Sequence, residues 1–179
     1  MFMRSDGTRV DDYTQWAKIF HWVIAALMAM MFITIWVREE TERGTPERAF
    51  WTDAHTSLGI LVFLLTVARL LARAPGPPPL GRSELSRKAA RAMHGLLYLI
   101  TLLVPVAGFL RMTAKDRVTS FFGIGIPSPT GDAPKIYEWG KTLHGEAMQY
   151  VVLTLIALHV GAALWHHFVV RDAALRRMT

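Results

Sequence analysis

The stretch LHVGAALWHHFVVRD, residues 158–172, places histidines within and at the end of an apolar segment. His159 lies inside the segment, whereas His166 and His167 lie near its polar end. An imidazole in the hydrocarbon core of a membrane is costly unless it binds a partner. We therefore interpret His159 as the ligand of a cofactor, provided that the segment crosses a membrane. The two histidines at the polar end are expected at the cytoplasmic interface.

Four apolar blocks of similar length support the membrane interpretation. Each is close to the roughly 20 residues that are needed to cross about 30 Å of hydrocarbon. The blocks cover residues 19–37, 54–72, 92–110 and 148–170. They predict an all-α fold, an integral membrane four-helix bundle that forms a single domain over residues 1–179. The helices are expected at about 16–37, 53–73, 90–111 and 144–170.

The distribution of charge predicts the orientation of this bundle. Residues 69–91 contain six basic residues and one acidic residue, whereas residues 38–53 contain three basic and five acidic residues. Because short basic loops stay in the cytoplasm, the loop between helices two and three is expected there, together with both termini. The net charge of +6 is therefore assigned to topology and lipid contact, and no nucleic acid is expected as a partner.

The predicted orientation sorts five histidines into two levels of the membrane. An outer level contains His55 and His144, and an inner, cytoplasmic level contains His21, His94 and His159. On helix four, His144 and His159 would lie about 22 Å apart, on faces that differ by about 60°. Histidine is a usual axial ligand of haem, and helical bundles bind such cofactors between facing helices. Two bis-histidine haems would form a transmembrane electron path, with either His21 or His94 opposite His159. The absence of cysteine excludes covalent c-type attachment, so any haem would be held non-covalently.

Five motifs resemble the bacterial cytochrome b561 family of small di-haem membrane proteins, across nearly the whole chain. They are IFHW at 19–22, HTSLGI at 55–60, VARLLAR at 67–73, HGLLYLITLLVP at 94–105 and LHVGAALWHHFVVRDAALRRM at 158–178. The resemblance implies two haem b groups, with helix four supplying one ligand to each. It assigns His21 and His159 to the inner haem, and His55 and His144 to the outer haem. His94 then becomes a candidate for contact with the inner haem ligands or with quinone.

The spacing of the two histidines on helix four departs from this family, in which they are usually about one residue closer together. A spacing of fourteen residues would rotate the second histidine by about −40° instead of about +60°. The position where that spacing would put a ligand is Gly145. Either His144 ligates through a π-bulge or an irregular first turn, or the outer haem is held differently, and Glu146 would be a poor substitute.

The resemblance also implies electron exchange between a small redox partner outside the membrane and ubiquinone within it. Superoxide oxidation is an activity found in this family, and it is the leading hypothesis here. The chain is thus expected to be an oxidoreductase of the bacterial inner membrane. Arg111, Lys115 and Arg117 follow helix three on the outer side. They are interpreted either as groups that attract a small anion or bind propionates, or as an ordinary solvated loop.

On the inner side, three arginines are candidates for binding the inner propionates or quinone. They are Arg69, Arg73 and Arg91. Charge that only fixes the cytoplasmic side of the loop is the equally weighted alternative.

Two further functions compete with superoxide oxidation. The chain could be the haem-containing membrane anchor of a larger hydrogenase or dehydrogenase complex, although its short polar termini offer little docking surface. It could also be a transporter of metal ions or protons that uses intramembrane histidines. Such proteins usually add intramembrane carboxylates, and the interiors of the four apolar blocks contain none. A transporter is therefore the least favoured function.

Overall fold

The computed structural model describes residues 13–71 and 83–179. Four apolar segments are long enough to cross a membrane, and the predicted helical membrane bundle is confirmed. The elements are α1 (Gln15–Glu40), α2 (Pro46–Leu71), α3 (Glu84–Thr113), β1 (Thr119–Phe121), β2 (Ile124–Ile126), α4 (Pro134–Leu143), α5 (Glu146–Trp165) and a π-helical turn (His166–Val170).

Both α2 and α3 begin before their apolar blocks because polar residues cap them. Pro46 occupies the first turn of α2, where its missing N–H costs nothing, and the Thr45 hydroxyl accepts from the Arg48 backbone N–H at 3.3 Å. The Ser83 hydroxyl accepts from the Ser86 backbone N–H at 3.1 Å, in a reciprocal capping box. These caps extend the helices beyond the hydrocarbon, where hydropathy alone carries no signal.

The fourth predicted helix, about 144–170, begins two residues later than expected, is preceded by the separate short helix α4 and ends in the π-helical turn. α4 ends at Leu143, and α5 begins at Glu146 after a break at His144 and Gly145. α4 packs closely on α3 because Gly140 has no side chain. A Cβ there would lie 2.7 Å from the Arg111 Cβ and 2.8 Å from the Ala107 carbonyl oxygen. This tertiary contact directs α4 along α3 and forces the chain to turn before α5.

The region between the third and fourth predicted helices is partly regular. β1 and β2 pair as an antiparallel hairpin in which Ser120 lies opposite Gly125. The hairpin is attached to α2 by Ser57, whose buried hydroxyl accepts from the Phe122 backbone N–H at 2.9 Å. This hairpin and α4 therefore lie at the end of the bundle where α1 turns into α2.

The start of α1 and the last residues of the chain lie at the opposite end of the bundle. The indole N–H of Trp22, near the start of α1, donates to the Met178 backbone carbonyl at 2.8 Å. We keep the terms inner for this end and outer for the hairpin end, following the predicted topology. Which end faces the cytoplasm stays a prediction.

The helices pack unevenly, and α5 stands apart from the first two. The compact core joins α1 to α2 through Ile24, Met31, Leu58 and Val62. By contrast, no Cα atom of α5 lies within 8 Å of a Cα atom of α1 or α2. Directly packed helices have axes about 8–10 Å apart, and many of their Cα atoms lie within 8 Å of each other. An elongated gap therefore separates α5 from the α1–α2 pair.

Candidate functional site

Histidine pairs bridge this gap at both ends. At the outer end, the imidazole centroids of His55 on α2 and His144 before α5 lie 5.8 Å apart, and the ring planes make an angle of 72°. We call these two residues the outer pair. The structure thus brings together the two histidines that the sequence placed at the outer level.

His55 is oriented by acceptors at the end of the imidazole that faces α1. Its Nδ1 lies 3.2 Å from the Met31 carbonyl oxygen and 3.3 Å from the Thr34 hydroxyl. The Thr34 hydroxyl donates its own hydrogen to the same carbonyl at 2.7 Å, so it can accept from His55. Both contacts favour a hydrogen on Nδ1, which leaves the lone pair of Nε2 for a metal.

His144 is held even more closely, by α3. Its Nδ1 donates to the Val104 carbonyl oxygen at 2.8 Å, and the Arg111 guanidinium donates to the His144 backbone carbonyl at 2.9 Å. The ring lies against Gly108, where a Cβ would come within 2.7 Å of the imidazole Cε1 and Nδ1. Neither Gly108 nor Val104 was predicted from the sequence to contact a haem ligand. A glycine one turn after Pro105 in a membrane helix was the available signal.

The break between α4 and α5 shows how the long spacing to His159 is accommodated. His144 has φ −137° and ψ 48°, and Gly145 has φ −115° and ψ −174°, so neither residue is helical. A Cβ at Gly145 would lie 2.6 Å from the Lys141 carbonyl oxygen, which explains the glycine. The rotation of about 60° that a continuous helix would impose therefore does not apply. Of the expected alternatives, the chain uses an irregular lead-in to the helix.

A cavity of about 1100 Å³ opens beside the outer pair. Small-molecule and cofactor sites commonly have volumes of about 300–1,000 Å³, so this space is sufficient for a macrocycle. Both histidines of the outer pair line the cavity, together with Gly59 and Gly108. Five basic side chains also line it: Arg38, Arg111, Lys115, Arg117 and Lys141.

Three of those cations are held by specific contacts. Arg38 donates through Nε to the Thr52 hydroxyl at 3.0 Å. The ring of Tyr137 receives the Lys115 ammonium at 4.2 Å and the Arg111 guanidinium at 5.9 Å from its centroid. Two of the five cations are paired with carboxylates, Arg38 with Glu39 and Lys141 with Glu138. Arg111 and Lys115 are held on Tyr137, where they can attract an anion or bind carboxylates.

The inner end contains three histidines instead of two. The ring centroid of His159 lies 6.2 Å from that of His21 and 5.7 Å from that of His94. We call these three residues the inner cluster. Because both distances are similar, the geometry leaves His159 with two possible partners, as the sequence did.

The predicted basic residues at the inner end differ in their surroundings. The Arg69 guanidinium lies 3.1 Å from the His21 Nδ1 and 5.6 Å from the centroid of the Tyr98 ring. Arg91 instead forms an ion pair with Glu84 at 3.0 Å, and its side chain is 57% exposed. Arg73 lies outside the described residues. Of these arginines, Arg69 is the one that the structure shows in contact with the inner cluster.

His166 and His167 lie beyond the inner cluster, in the π-helical turn. The Nδ1 of His166 lies 2.6 Å from a carboxylate oxygen of Asp172, a partner that the sequence argument missed. Burial raises the pKa of Asp172, but hydrogen bonds from His166 and from the Ala174 backbone N–H outweigh it. The pKa of Asp172 therefore lies below its ordinary value. His167 packs its ring against Phe168 at 4.7 Å.

The paired imidazoles fit haem. A metal–imidazole bond is about 2 Å long. Two imidazoles on opposite sides of one metal ion therefore have ring centroids about 6 Å apart, which agrees with 5.8 Å in the outer pair and 6.2 Å between His21 and His159. One turn before Arg69 on α2, the buried Thr66 hydroxyl has no hydrogen-bond partner in the described part of the chain. Among residues 13–71 and 83–179, no cluster of three or more ligands suits a bare metal ion.

Comparisons with known proteins agree with this geometry. The profile described as prokaryotic cytochrome b561 matches residues 12–179. Cytochrome b561 homolog 2 of Escherichia coli K12 is 34% identical over 165 residues, which cover 89% of this chain and 86% of that protein.

Two further relatives are similar over comparable lengths. Cytochrome b562 of Cereibacter sphaeroides is 32% identical over 96% of this chain and 97% of its own length. The probable superoxide oxidase CybB of Yersinia pestis is 28% identical over 88% of this chain and 90% of its own length. The matches favour membrane electron transfer by b-type haem over ion transport. This chain, with its apolar helices and facing histidines, belongs to the prokaryotic cytochrome b561 family.

Proposed function

We propose that this protein oxidises superoxide at the periplasmic side of the bacterial inner membrane and delivers the electrons to ubiquinone through two b-type haems. The observation that carries the proposal is the placement of facing imidazoles across the gap beside α5, at two separate levels. A four-helix bundle has no packing reason to hold one helix away from two others. A flat cofactor at each level supplies that reason.

The outer haem is assigned to His55 and His144. Each presents its Nδ1 to a backbone carbonyl, Met31 for the first and Val104 for the second, which leaves Nε2 to bind iron. Such hydrogen bonds fix the tautomer and ring orientation of metal-binding histidines and raise their basicity. The cavity beside the pair gives the macrocycle room, and its basic rim can bind propionates.

The inner haem is assigned to His21 and His159. His21 lies on α1, on the far side of the gap from α5, and the distance of 6.2 Å suits two ligands of one iron. The resemblance of the IFHW motif supports the same assignment. His94 is assigned to contact with the inner haem or with quinone, beside the ligands.

The haems would supply one-electron oxidation and reduction, and the balanced reaction follows from that chemistry. Two superoxide anions, one ubiquinone and two protons give two molecules of dioxygen and one ubiquinol. Two histidines would hold each haem, and the haem would then supply electron transfer without binding oxygen. The role of the chain is therefore to hold the imidazoles, to keep the haems apart at two levels and to attract the anion.

The basic residues at the outer cavity support an anionic substrate. Arg111 and Lys115 converge on Tyr137, and Arg117 lies on the same rim. Converging positive charge raises the local concentration of a small anion and its rate of encounter. A relative described as a probable superoxide oxidase, 28% identical over most of both chains, supports superoxide as that anion.

The experiment that tests this function begins with the haem content of the purified protein. We expect two b-type haems per chain in a reduced-minus-oxidised spectrum with extraction and counting, and one haem per chain for His144→Ala. His167→Ala is the matched control, because its ring packs on Phe168 away from both sites. In vesicles with ubiquinone, superoxide should then produce ubiquinol with the wild-type protein and not with His144→Ala. A wild-type protein without haem, or one with two haems that superoxide does not reduce, would contradict the proposal.

A further inference from the structure

We infer that Arg69 raises the redox potential of the inner haem by placing a positive charge beside its ligand His21. The inference rests on the proposed function, since it requires a haem at the inner level. It goes further because it assigns a redox role to a residue that does not itself bind iron.

Two contacts hold the Arg69 guanidinium in the inner cluster. One nitrogen lies 3.1 Å from the His21 Nδ1, and the guanidinium carbon lies 5.6 Å from the centroid of the Tyr98 ring. A guanidinium is always charged and can only donate hydrogen bonds. Ligation through Nε2 would put the hydrogen of His21 on Nδ1, so this contact would no longer be a hydrogen bond, because both groups would then be donors. The cation–π contact with Tyr98 would still keep the guanidinium charge beside the imidazole of His21.

The charge of Arg69 is not compensated by a carboxylate in the described parts of the chain. Within residues 13–71 and 83–179, the ion pairs at this end join Glu84 to Arg87 and Arg91, and Asp172 to His166. Arg69 is half-buried on the last turn of α2, so water screens its charge only partly. Electrostatic interactions are stronger in such surroundings than in bulk water.

The outer pair provides the contrast that defines the effect. There, Nδ1 of each histidine faces a carbonyl oxygen, at 3.2 Å for His55 and 2.8 Å for His144. A carbonyl acceptor increases electron donation from the ligand and favours oxidised iron. A cation at the corresponding position of His21 does the opposite, because the added electron is attracted to it. Arg69 therefore makes the inner site a better electron acceptor than it would otherwise be.

The test is a spectroelectrochemical titration of the holoprotein with both haems bound. We expect Arg69→Gln to retain two haems and to lower the midpoint potential of one of them, leaving the other unchanged. The shift should correspond to a change on the order of tenfold in the electron equilibrium, and tenfold is 59 mV for a one-electron couple. Arg69→Lys, which keeps the charge, should restore most of the potential. Arg91→Gln is the control, because Arg91 pairs with Glu84 in an exposed position.

Each other outcome would overturn the inference. Two haems with unchanged potentials in Arg69→Gln would show that the charge has no redox effect. Loss of a haem from both Arg69 variants would assign the residue to haem retention instead. A shift in Arg91→Gln equal to that in Arg69→Gln would indicate a general effect of cytoplasmic charge.

The result is separable from that of the proposed function. If the potentials shift as expected but superoxide does not reduce ubiquinone, the role of Arg69 stands and the substrate assignment fails. If superoxide oxidation proceeds with unshifted potentials, the function stands and the role of Arg69 fails.

Discussion

Facing imidazoles lie at both ends of this bundle, but different groups of the protein contact them at each end. The outer pair is held by backbone, since both Nδ1 atoms face main-chain carbonyls and His144 lies against a glycine. The inner cluster is surrounded by side chains, with a third imidazole and a guanidinium within reach of His21 and His159. Backbone contacts fix a geometry that few substitutions can alter, whereas side-chain contacts can be tuned one residue at a time. We therefore expect the outer site to be sterically sensitive and the inner site to be electrostatically sensitive.

Gly108→Ala is the strongest test of the expected steric sensitivity of the outer site. The new Cβ would lie 2.7 Å from the His144 ring, and such overpacking costs about 1–3 kcal/mol if the ring cannot move. We expect His144 to be displaced and the haem content to fall from two to one per chain. Haem extraction and counting measure this.

Gly95→Ala is the matched control, because Gly95 lies on the same helix and a Cβ there would meet nothing within 4 Å. It should retain both haems. If Gly108→Ala also retained both haems with an unchanged spectrum, the close packing around the outer pair would have no functional meaning.

The next largest effect distinguishes the two possible partners of His159. We expect His21→Ala to lose one haem and His94→Ala to keep both, because His21 is assigned as the ligand. The two variants remove rings at similar distances from His159, 6.2 Å and 5.7 Å, so each serves as the control of the other. Haem counting together with low-temperature spectra of the ferric protein measures the outcome. The reverse result would move the inner ligand from α1 to α3.

A smaller effect tests whether the outer cations act on a substrate. Removing one charge with Lys115→Gln should lower the rate of haem reduction by superoxide by about two- to fivefold at low ionic strength. The difference should shrink as salt approaches 0.15 M, where the screening length is about 8 Å. Stopped-flow measurement over a range of ionic strengths gives both quantities. Lys135→Gln is the control, since Lys135 does not line the cavity. Equal rates and equal salt dependence for the two variants would remove Lys115 from the attraction of the anion.

The smallest expected effect concerns the turn that follows the inner cluster. Asp172→Asn should lower the local stability of residues 166–179 at pH 7 by less than about 1 kcal/mol, because the pair is partly exposed. The change should appear as faster exchange of the backbone amide hydrogens in this segment. The pKa of Asp172 is lowered in the folded chain, so its stabilising contribution is present at neutral pH and is lost as pH falls through that lowered pKa.

The difference between Asp172→Asn and the wild type should therefore begin to shrink near pH 4, the ordinary pKa of an aspartate, and vanish once the pH is below the lowered pKa of Asp172. Comparison at each pH by hydrogen exchange with mass spectrometry tests this, with Asp53→Asn as control. A difference that persisted unchanged into acid would mean that the carboxylate charge does not stabilise the turn.

The elements that could be predicted from sequence are those set by local composition. Hydropathy alone located four membrane segments, because a span needs about 20 apolar residues whatever it packs against. The direction of each helix then placed His55 and His144 at one level and His21, His94 and His159 at the other before any distance was known. The pairing of His21 with His159 came from the family resemblance and stays a prediction. The irregular turn at His144 and Gly145 was one of the alternatives that the sequence left open, and the choice among them follows from the contact of Gly140 with α3. The partners of Nδ1 were also inaccessible, since Val104 and His144 are 40 positions apart in the chain.

The sequence by itself thus determined the membrane class, the number of membrane segments and the level predicted for each histidine. It did so because hydrophobic length and chain direction are properties of each segment alone. Only the tertiary structure decided that His144 reaches His55 despite its long spacing from His159, that α5 stands away from α1 and α2, and that Arg69 contacts His21. These features depend on the close approach of segments distant in the chain, where a missing Cβ, a carbonyl oxygen or a buried charge determines the geometry.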